Sequence, residues 1–216
     1  GVKNQLLSSR VLHKKLSRAL AEEPPDLAQV RACAVQLNEL NEGMLRRMDE
    51  LYRTVKNNAI SLTAVPVSEL AEAAVERFHG KYPDQPVEVD VNTGRPVLAD
   101  LSHLSEALCN LLCNGYEAAV QAGRENPHVR LRIRGERMWT VVEVEDNGPG
   151  IPAEIRVKIF EPFFTSKNTN YNWGMGLYYV RKIVQSHFGR LRLESRDGEG
   201  ARFQIMLPLY DPRQKE

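Results

Sequence analysis

Net charge, cysteine and uninterrupted apolar sequence are all scarce in this chain. Its 216 residues set 29 lysines and arginines against 28 acids, for a formal charge of +1. That balance excludes the basic footprint of a nucleic-acid binder or of a protein that lies on anionic lipid. Only three cysteines are present, Cys33, Cys109 and Cys113. They cannot make a disulfide framework, so the expectation is a reducing, cytoplasmic setting. Cys109 and Cys113 stand four apart with no histidine or cysteine cluster beside them, which favours buried thiols over a metal site. No apolar run approaches the ~20 residues of a membrane span, and nothing at residue 1 has the form of a signal peptide. The G-x-x-x-x-G-K-[ST] phosphate loop and the protein-kinase glycine loop are missing too. The remaining composition, 42% apolar and 26% charged, is that of a globular chain with one large domain or two small ones.

The N-terminal part carries no strand signal. Val2, Leu6, Ser9, His13, Leu16 and Leu20 recur at alternating spacings of four and three, which predicts the packed seam of a helix. Glu23-Pro24-Pro25-Asp26 breaks it, and Asp26 is placed to cap the next helix. Leu27, Val30, Ala34, Leu37, Asn41, Met44, Met48, Leu51 and Val55 then hold heptad spacing. An antiparallel hairpin cannot bury two such seams alone, so a homodimeric four-helix bundle is expected, with Asn41 as a register pin. His13 falls on the apolar seam, which predicts a packed neutral imidazole rather than a reactive one. Residues 1–62 form the hairpin domain in this reading and residues 63–216 a second domain.

In the second part, Ala64 to Val67 reads as a link and Ser68 as the cap of a helix to about Phe78. Val87 to Val91 alternates as a strand, and Pro96 to Ala99 suits another. A helix from Leu101 to Gln121 lines up Glu106, Asn110 and Asn114 on one face, with Leu104, Ala107, Leu108, Leu111 and Leu112 opposite. The polar stripe is either solvated or functional; asparagine's mediocre helix propensity favours use, for example beside a hard cation such as Mg²⁺. Trp139 to Glu145 alternates as a half-buried strand and runs into Asp146-Asn147-Gly148-Pro149-Gly150-Ile151. Gly148 and Gly150 permit a sharp turn and close approach to a bound group, and Asp146 suits the amino group of a purine. A plain surface turn would read the same. A short helix is expected from Ile155 to Phe160, then a polar loop from Asn168 to Asn172. Gly174-Met175-Gly176 opens a helix to about His187 that Gly189 ends. Such a loop feeding a helix N-terminus is a ready anion site, to which Lys167 adds a counter-charge. Arg190 to Ser195 and Ala201 to Leu207 pair as a hairpin.

Taken in order, Asn110…Asn114, Asp146-x-Gly148-x-Gly150, Glu161-Pro162-Phe163-Phe164 and Gly174-x-Gly176-Leu177 resemble the N, G1, F and G2 boxes of sensor histidine kinases. The resemblance implies an α+β chain: a dimeric helical hairpin followed by a two-layer α/β sandwich of the GHKL ATPase type. It implies ATP or ADP with Mg²⁺, and a nucleotide pocket drawn from Glu106, Asn110, Asn114, Asp146, Gly148, Gly150, Ile151, Phe160, Lys167, Gly174, Met175, Gly176 and Leu177. Asn114 would be the metal-side ligand, Asp146 the adenine contact, Asn110 and Lys167 catalytic residues near the phosphates, and Phe163 to Trp173 a short lid. The implied partners are a second copy and a response-regulator receiver domain, with no nucleic acid and no membrane contact by this fragment. The chain departs from the family at Asn172 and Ala201, where a glycine and a small hydroxyl residue are usual. Asn110 stands where gyrase-like relatives carry a hydrolytic glutamate, which fits phosphotransfer better than hydrolysis. Val2-Lys3-Asn4-Gln5-Leu6 resembles the end of the family's phosphoacceptor motif, so the acceptor histidine is expected immediately before Gly1, with Asn4 at the water-orienting position. His13 is the weaker alternative, since it leaves too few residues before the proline turn. A nucleotide-binding scaffold without kinase activity and a gyrase-like ATPase are the competing readings.

Overall fold

The computed structural model of the chain describes residues 2–22, 24–56, 60–165 and 174–209. They divide into a helical unit up to residue 56 and an α/β unit built from residues 60–164 and 174–209.

The helical unit is a hairpin of α1 (Val2–Leu20) and α2 (Leu27–Lys56). Asp26 caps α2 as expected, accepting from the Gln29 amide at 3.0 Å. Its own amide donates to the Ala19 carbonyl at 3.1 Å and closes the proline turn. The packed stripe keeps Ser9, Leu16, Val30 and Leu37 of the expected seam and shifts the alternate positions by one residue. Ala19 and Cys33 are buried and Leu12, Leu16, Val30, Leu37 and Leu40 half-buried, whereas Ala34, Asn41 and His13 are exposed. Leu27, on the expected seam, is 72% exposed. Two helices touch along one narrow stripe, which leaves Val11, Leu20, Leu27 and Val35 exposed. His13, read as a packed histidine, is thus a surface residue of the single chain. The side chains of Val2, Asn4, Leu6, Met44, Met48, Leu51 and Val55 lie outside the described residues. Among those described, no helix is long and apolar enough to cross a membrane.

The α/β unit runs β1 (Thr63–Val65), α3 (Val67–His79), β2 (Val87–Asn92), β3 (Val97–Ala99), α4 (Leu101–Gln121), β4 (Val129–Gly135), β5 (Trp139–Asp146), α5 (Gly176–Ser186), β6 (Arg190–Arg196) and β7 (Gly200–Pro208). Its main sheet has the order β2-β4-β5-β7-β6, parallel only between β2 and β4. β1 pairs with β3, so the expected link is a short strand. Pro66 rather than Ser68 starts α3, its ring fixing φ at −59° for the first turn. The helix expected at 155–160 is two 3-10 turns, Ala153–Ile155 and Lys158–Phe160.

Leu104, Ala107, Leu108, Leu111 and Leu112 of α4 are all buried in one core with Leu131, Ile133, Ile205 and Leu207. Each such leucine contributes about 1.5–3 kcal/mol through its removal from water. β5 is buried on both faces, not one. Val142 and Val144 join the core, while Glu143, 5% exposed, lies under Arg134 at 2.7 Å and Gln204 at 2.7 Å. Arginine stems roof the polar face of a strand that has neighbours on both sides.

Helix α5 ends in a Schellman motif, with Gly189 donating to Val184 at 2.9 Å and Phe188 to Gln185 at 3.0 Å. The left-handed residue is Phe188 (φ 55°), not Gly189. Gly189 is instead needed for space, since a Cβ there would lie 2.9 Å from the Met206 carbonyl oxygen. Next to this end His187, 1% exposed, ties α5 to α4. Its Nδ1 meets the Ile183 carbonyl at 2.7 Å and its Nε2 accepts from the Asp100 amide at 2.9 Å. Asp100 in turn caps α4 through the His103 amide at 3.0 Å and accepts from the Ser61 amide at 3.1 Å.

Burial lowers the His187 pKa, outweighing the carbonyl and the Asp100 carboxylate that favour its charged form. A base depressed on folding gives stability that is full above its unfolded value of about 6.5 and is lost as pH falls below it. Asp100 is also depressed: burial pushes it up, but the hydrogen bonds from His103 and Ser61 prevail. Its contribution is therefore lost only below about pH 4. Thermal unfolding followed from about pH 7.5 to pH 5.5 should show a falling Tm that His187→Gln flattens.

Candidate functional site

Asp146 ends β5 with its side chain against α4, and 8% of it is exposed. The contact is possible because α4 has a glycine opposite: a Cβ on Gly115 would lie 2.8 Å from the Asp146 Cβ and 3.2 Å from Oδ2. Oδ1 accepts from the amides of Gly148 at 2.8 Å and Ala201 at 3.3 Å. The backbone of Ala201 thus reaches the carboxylate although a side-chain hydroxyl is missing there. Oδ2 has no hydrogen-bond partner among the described residues, which leaves it as an acceptor. Burial raises the Asp146 pKa, and the two amides only partly counter it.

One residue before Gly115, Asn114 belongs to the expected polar stripe. Glu106, Asn110 and Asn114 are all half-buried on the face of α4 that meets α5. The Asn114 amide nitrogen lies 3.7 Å from where a Gly176 Cβ would stand, at the first residue of α5. Asn110, one turn along, has no hydrogen-bond partner among the described residues. Glu106 is engaged within the chain, accepting from the Tyr179 hydroxyl at 3.1 Å. Burial, then the Glu106 charge, push that hydroxyl's pKa up.

Among the described residues no side chain caps α5 behind Met175, and its first amides are available to face an anion. Met175 is 8% exposed and Leu177 packs on the core. Gly174 is left-handed at φ 67°, and a Cβ there would collide with the Phe164 carbonyl. The Gly174 backbone therefore lies against that of Phe164, an approach that only glycine permits.

The turn after β5 is held by chain, not exposed for a ligand alone. A Cβ on Gly148 would sit 2.8 Å from Asp146 Oδ1. Gly150, expected to approach a bound group, is left-handed at φ 81° and abuts the Arg196 carbonyl of the β6–β7 turn. The Ile151 amide donates to Ser195 Oγ at 2.8 Å, and that hydroxyl donates to the Gly200 carbonyl at 2.8 Å. Phe160 packs edge-on to Phe203 at 6.4 Å. Lys167 and the stretch Asn168 to Trp173 lie outside the described residues, as does the side chain of Asn4.

Sequence reasoning missed Gly115, Tyr179, Ser195 and Arg124. Gly115 had a signal, since a glycine inside a helix costs about 1 kcal/mol against alanine and invites a packing reason. The others have meaning only through partners distant in sequence. Uncapped helix amides, two half-buried carboxamides and a one-sided carboxylate lie within about one turn of α4. They can take an anion at one end and an N–H donor at the other.

Gly115→Ala should destabilise the chain despite better helix propensity. Overpacking against a fixed strand end costs about 1–3 kcal/mol, against a propensity gain of about 1 kcal/mol. Urea unfolding at neutral pH measures the difference, and an unchanged or higher midpoint would contradict the contact.

A family model described as histidine kinase-, DNA gyrase B-, and HSP90-like ATPase matches residues 99–211. The chain is 29% identical over 205 residues to the phytochrome-like protein Cph1 of Synechocystis sp., covering 93% of this chain and 26% of that protein. It is 40% identical over 123 residues to the sensory histidine kinase/phosphatase NtrB of Rhodobacter capsulatus, covering 53% of this chain and 34% of that protein. Among solved structures it is similar to the mycobacterial sensor histidine kinase MprB, with a TM-score of 0.60 and 29% identity over 69% of this chain and 98% of the other. The chain therefore spans about a quarter to a third of the length of these two curated relatives.

Proposed function

This chain belongs to the histidine kinase-, DNA gyrase B-, and HSP90-like ATPase family, and on that premise we propose that it is the cytoplasmic core of a two-component sensor histidine kinase. The observation that carries the reading is the juxtaposition of Asp146, Asn114 and the uncapped start of α5 around Gly115. Asp146 Oδ2 accepts the adenine amino group, and the Gly148 and Ala201 amides aim the carboxylate and partly offset the cost of burying its charge. The first amides of α5 and the Asn110 carboxamide bind phosphate oxygens. Lys167 adds positive charge.

Asn114 is the residue that would hold Mg²⁺, which supplies charge neutralisation on the phosphates when bound. Phosphoryl transfer needs in-line placement and charge compensation more than covalent help, and these residues supply both. The acceptor is a histidine ahead of Gly1, a neutral imidazole being a competent nucleophile near neutral pH. From there the phosphoryl group passes to a receiver-domain aspartate, and in a separate reaction Asn4 orients the water that hydrolyses the aspartyl phosphate to aspartate and inorganic phosphate. The exposed Val11, Leu20, Leu27 and Val35 of the hairpin support pairing with a second copy.

Calorimetry with Mg²⁺ and ADP tests the pocket. Binding should weaken at least about tenfold in Asp146→Asn and in Asn114→Ala, each of which removes a charged or metal-side contact. Because the Asp146 pKa is raised, protonation should begin to weaken ADP above the ordinary aspartate range, with affinity falling as pH falls. A chain extended by its preceding native residues and given γ-labelled ATP should acquire acid-labile label. Released phosphate would indicate an ATPase instead, and binding with neither outcome a scaffold.

A further inference from the structure

Arg124 lies outside every motif described so far, yet it joins more of the Asp146 surroundings than any other side chain. Helix α4 stops in a Schellman motif: Gly123 is left-handed at φ 68°, and the Arg124 amide donates to the Ala119 carbonyl at 3.2 Å. That termination turns Arg124 across the strand ends. Its Nε donates to the Asn147 carbonyl at 2.8 Å and its Nη2 to the Gly148 carbonyl at 2.9 Å. Nη2 also donates to the Gly198 carbonyl of the β6–β7 turn. Among the described residues no carboxylate pairs with this guanidinium, so its fixed fork is committed to backbone.

The two turns it joins are already face to face. Gly198 donates to the Pro149 carbonyl at 2.7 Å, and Gly200 abuts the Asp146 carbonyl. Both amides that hold Asp146 Oδ1 come from these turns, Gly148 from one and Ala201 from the start of the other's strand. The direction of the free oxygen therefore depends on how the two turns sit against α4, and Arg124, just past the end of that helix, is a side chain that bonds them both.

We infer that Arg124 is a positioning residue that sets the selectivity of the pocket for the amino-bearing base, by clamping the Asn147–Gly148 and Gly198 carbonyls so that Asp146 Oδ2 stays aimed. The inference rests on the proposed adenine-nucleotide pocket and adds a determinant of base choice. Arg124 touches no ligand itself. Its loss therefore weakens the contact that distinguishes a purine amino group from a purine carbonyl, and leaves the phosphate contacts at α5 unaltered.

The test is calorimetry of the full chain with Mg²⁺-ADP and with Mg²⁺-inosine diphosphate, which carries a carbonyl in place of the amino group. Wild type should prefer ADP. Arg124→Met should lower ADP affinity by about tenfold while inosine diphosphate changes by less than about twofold, so that the preference shrinks. Arg124→Lys, which keeps the charge and reaches fewer carbonyls, should fall between them. An unchanged preference, or equal losses for both nucleotides, would overturn the inference, because either result means general loosening or no coupling. If Arg124→Met does not fold, the preference measured in Arg124→Lys decides by the same criterion. A wild type that binds neither nucleotide removes the pocket and the inference together. A wild type that discriminates as strongly as both variants removes only the role of Arg124.

Discussion

A carboxylate pressed against the flank of a helix is the constraint on which this domain depends. Asp146 has little water, and α4 leaves it room only by omitting a side chain at Gly115. An ionised group in that position is costly unless hydrogen bonds compensate it. Gly148 and Ala201 provide them, and each comes from a turn whose shape depends on the other. The spacing of α4, β5 and the β6–β7 hairpin is thereby set to within a hydrogen bond at the point where a ligand would enter. The same contact puts Asn114 beside the start of α5, since it is the neighbour of the glycine that makes the space.

The two layers of the sandwich solve different problems. Helices α3, α4 and α5 cover one face of the sheet with leucine, valine and alanine. On the other face β4 and β5 set Arg130, Arg132 and Arg134 among Glu88, Asp90 and Glu143. Exposed ion pairs add little stability singly. Here they also let the central strand carry a buried glutamate without leaving it unpaired.

Local chemistry was the legible part of the sequence. The acid-glycine turn, the asparagine stripe on α4, the glycine-led start of α5 and the final hairpin all depend on residues close in sequence, and all were found where expected. The hairpin of α1 and α2 was legible in kind and in every second seam position; the alternate positions shift by one, because heptad spacing reports the whole apolar face and not which edge of it a single neighbour covers. Gly150 and Gly189 were read as turn and cap residues; their need for space against Arg196 and Met206 becomes visible only once distant strands are in place. Likewise nothing local marks His187, whose imidazole meets a backbone amide 87 positions away.

Helix α4 is fastened at both extremities. Asp100 and the imidazole of His187 hold its beginning, and the Gly123 termination with the Arg124 fork holds its end. A beam anchored twice can transmit load but cannot swing. Whatever rearranges when the site is loaded must therefore move around α4, so that the carboxamides it bears serve as the stationary frame against which the other parts are measured.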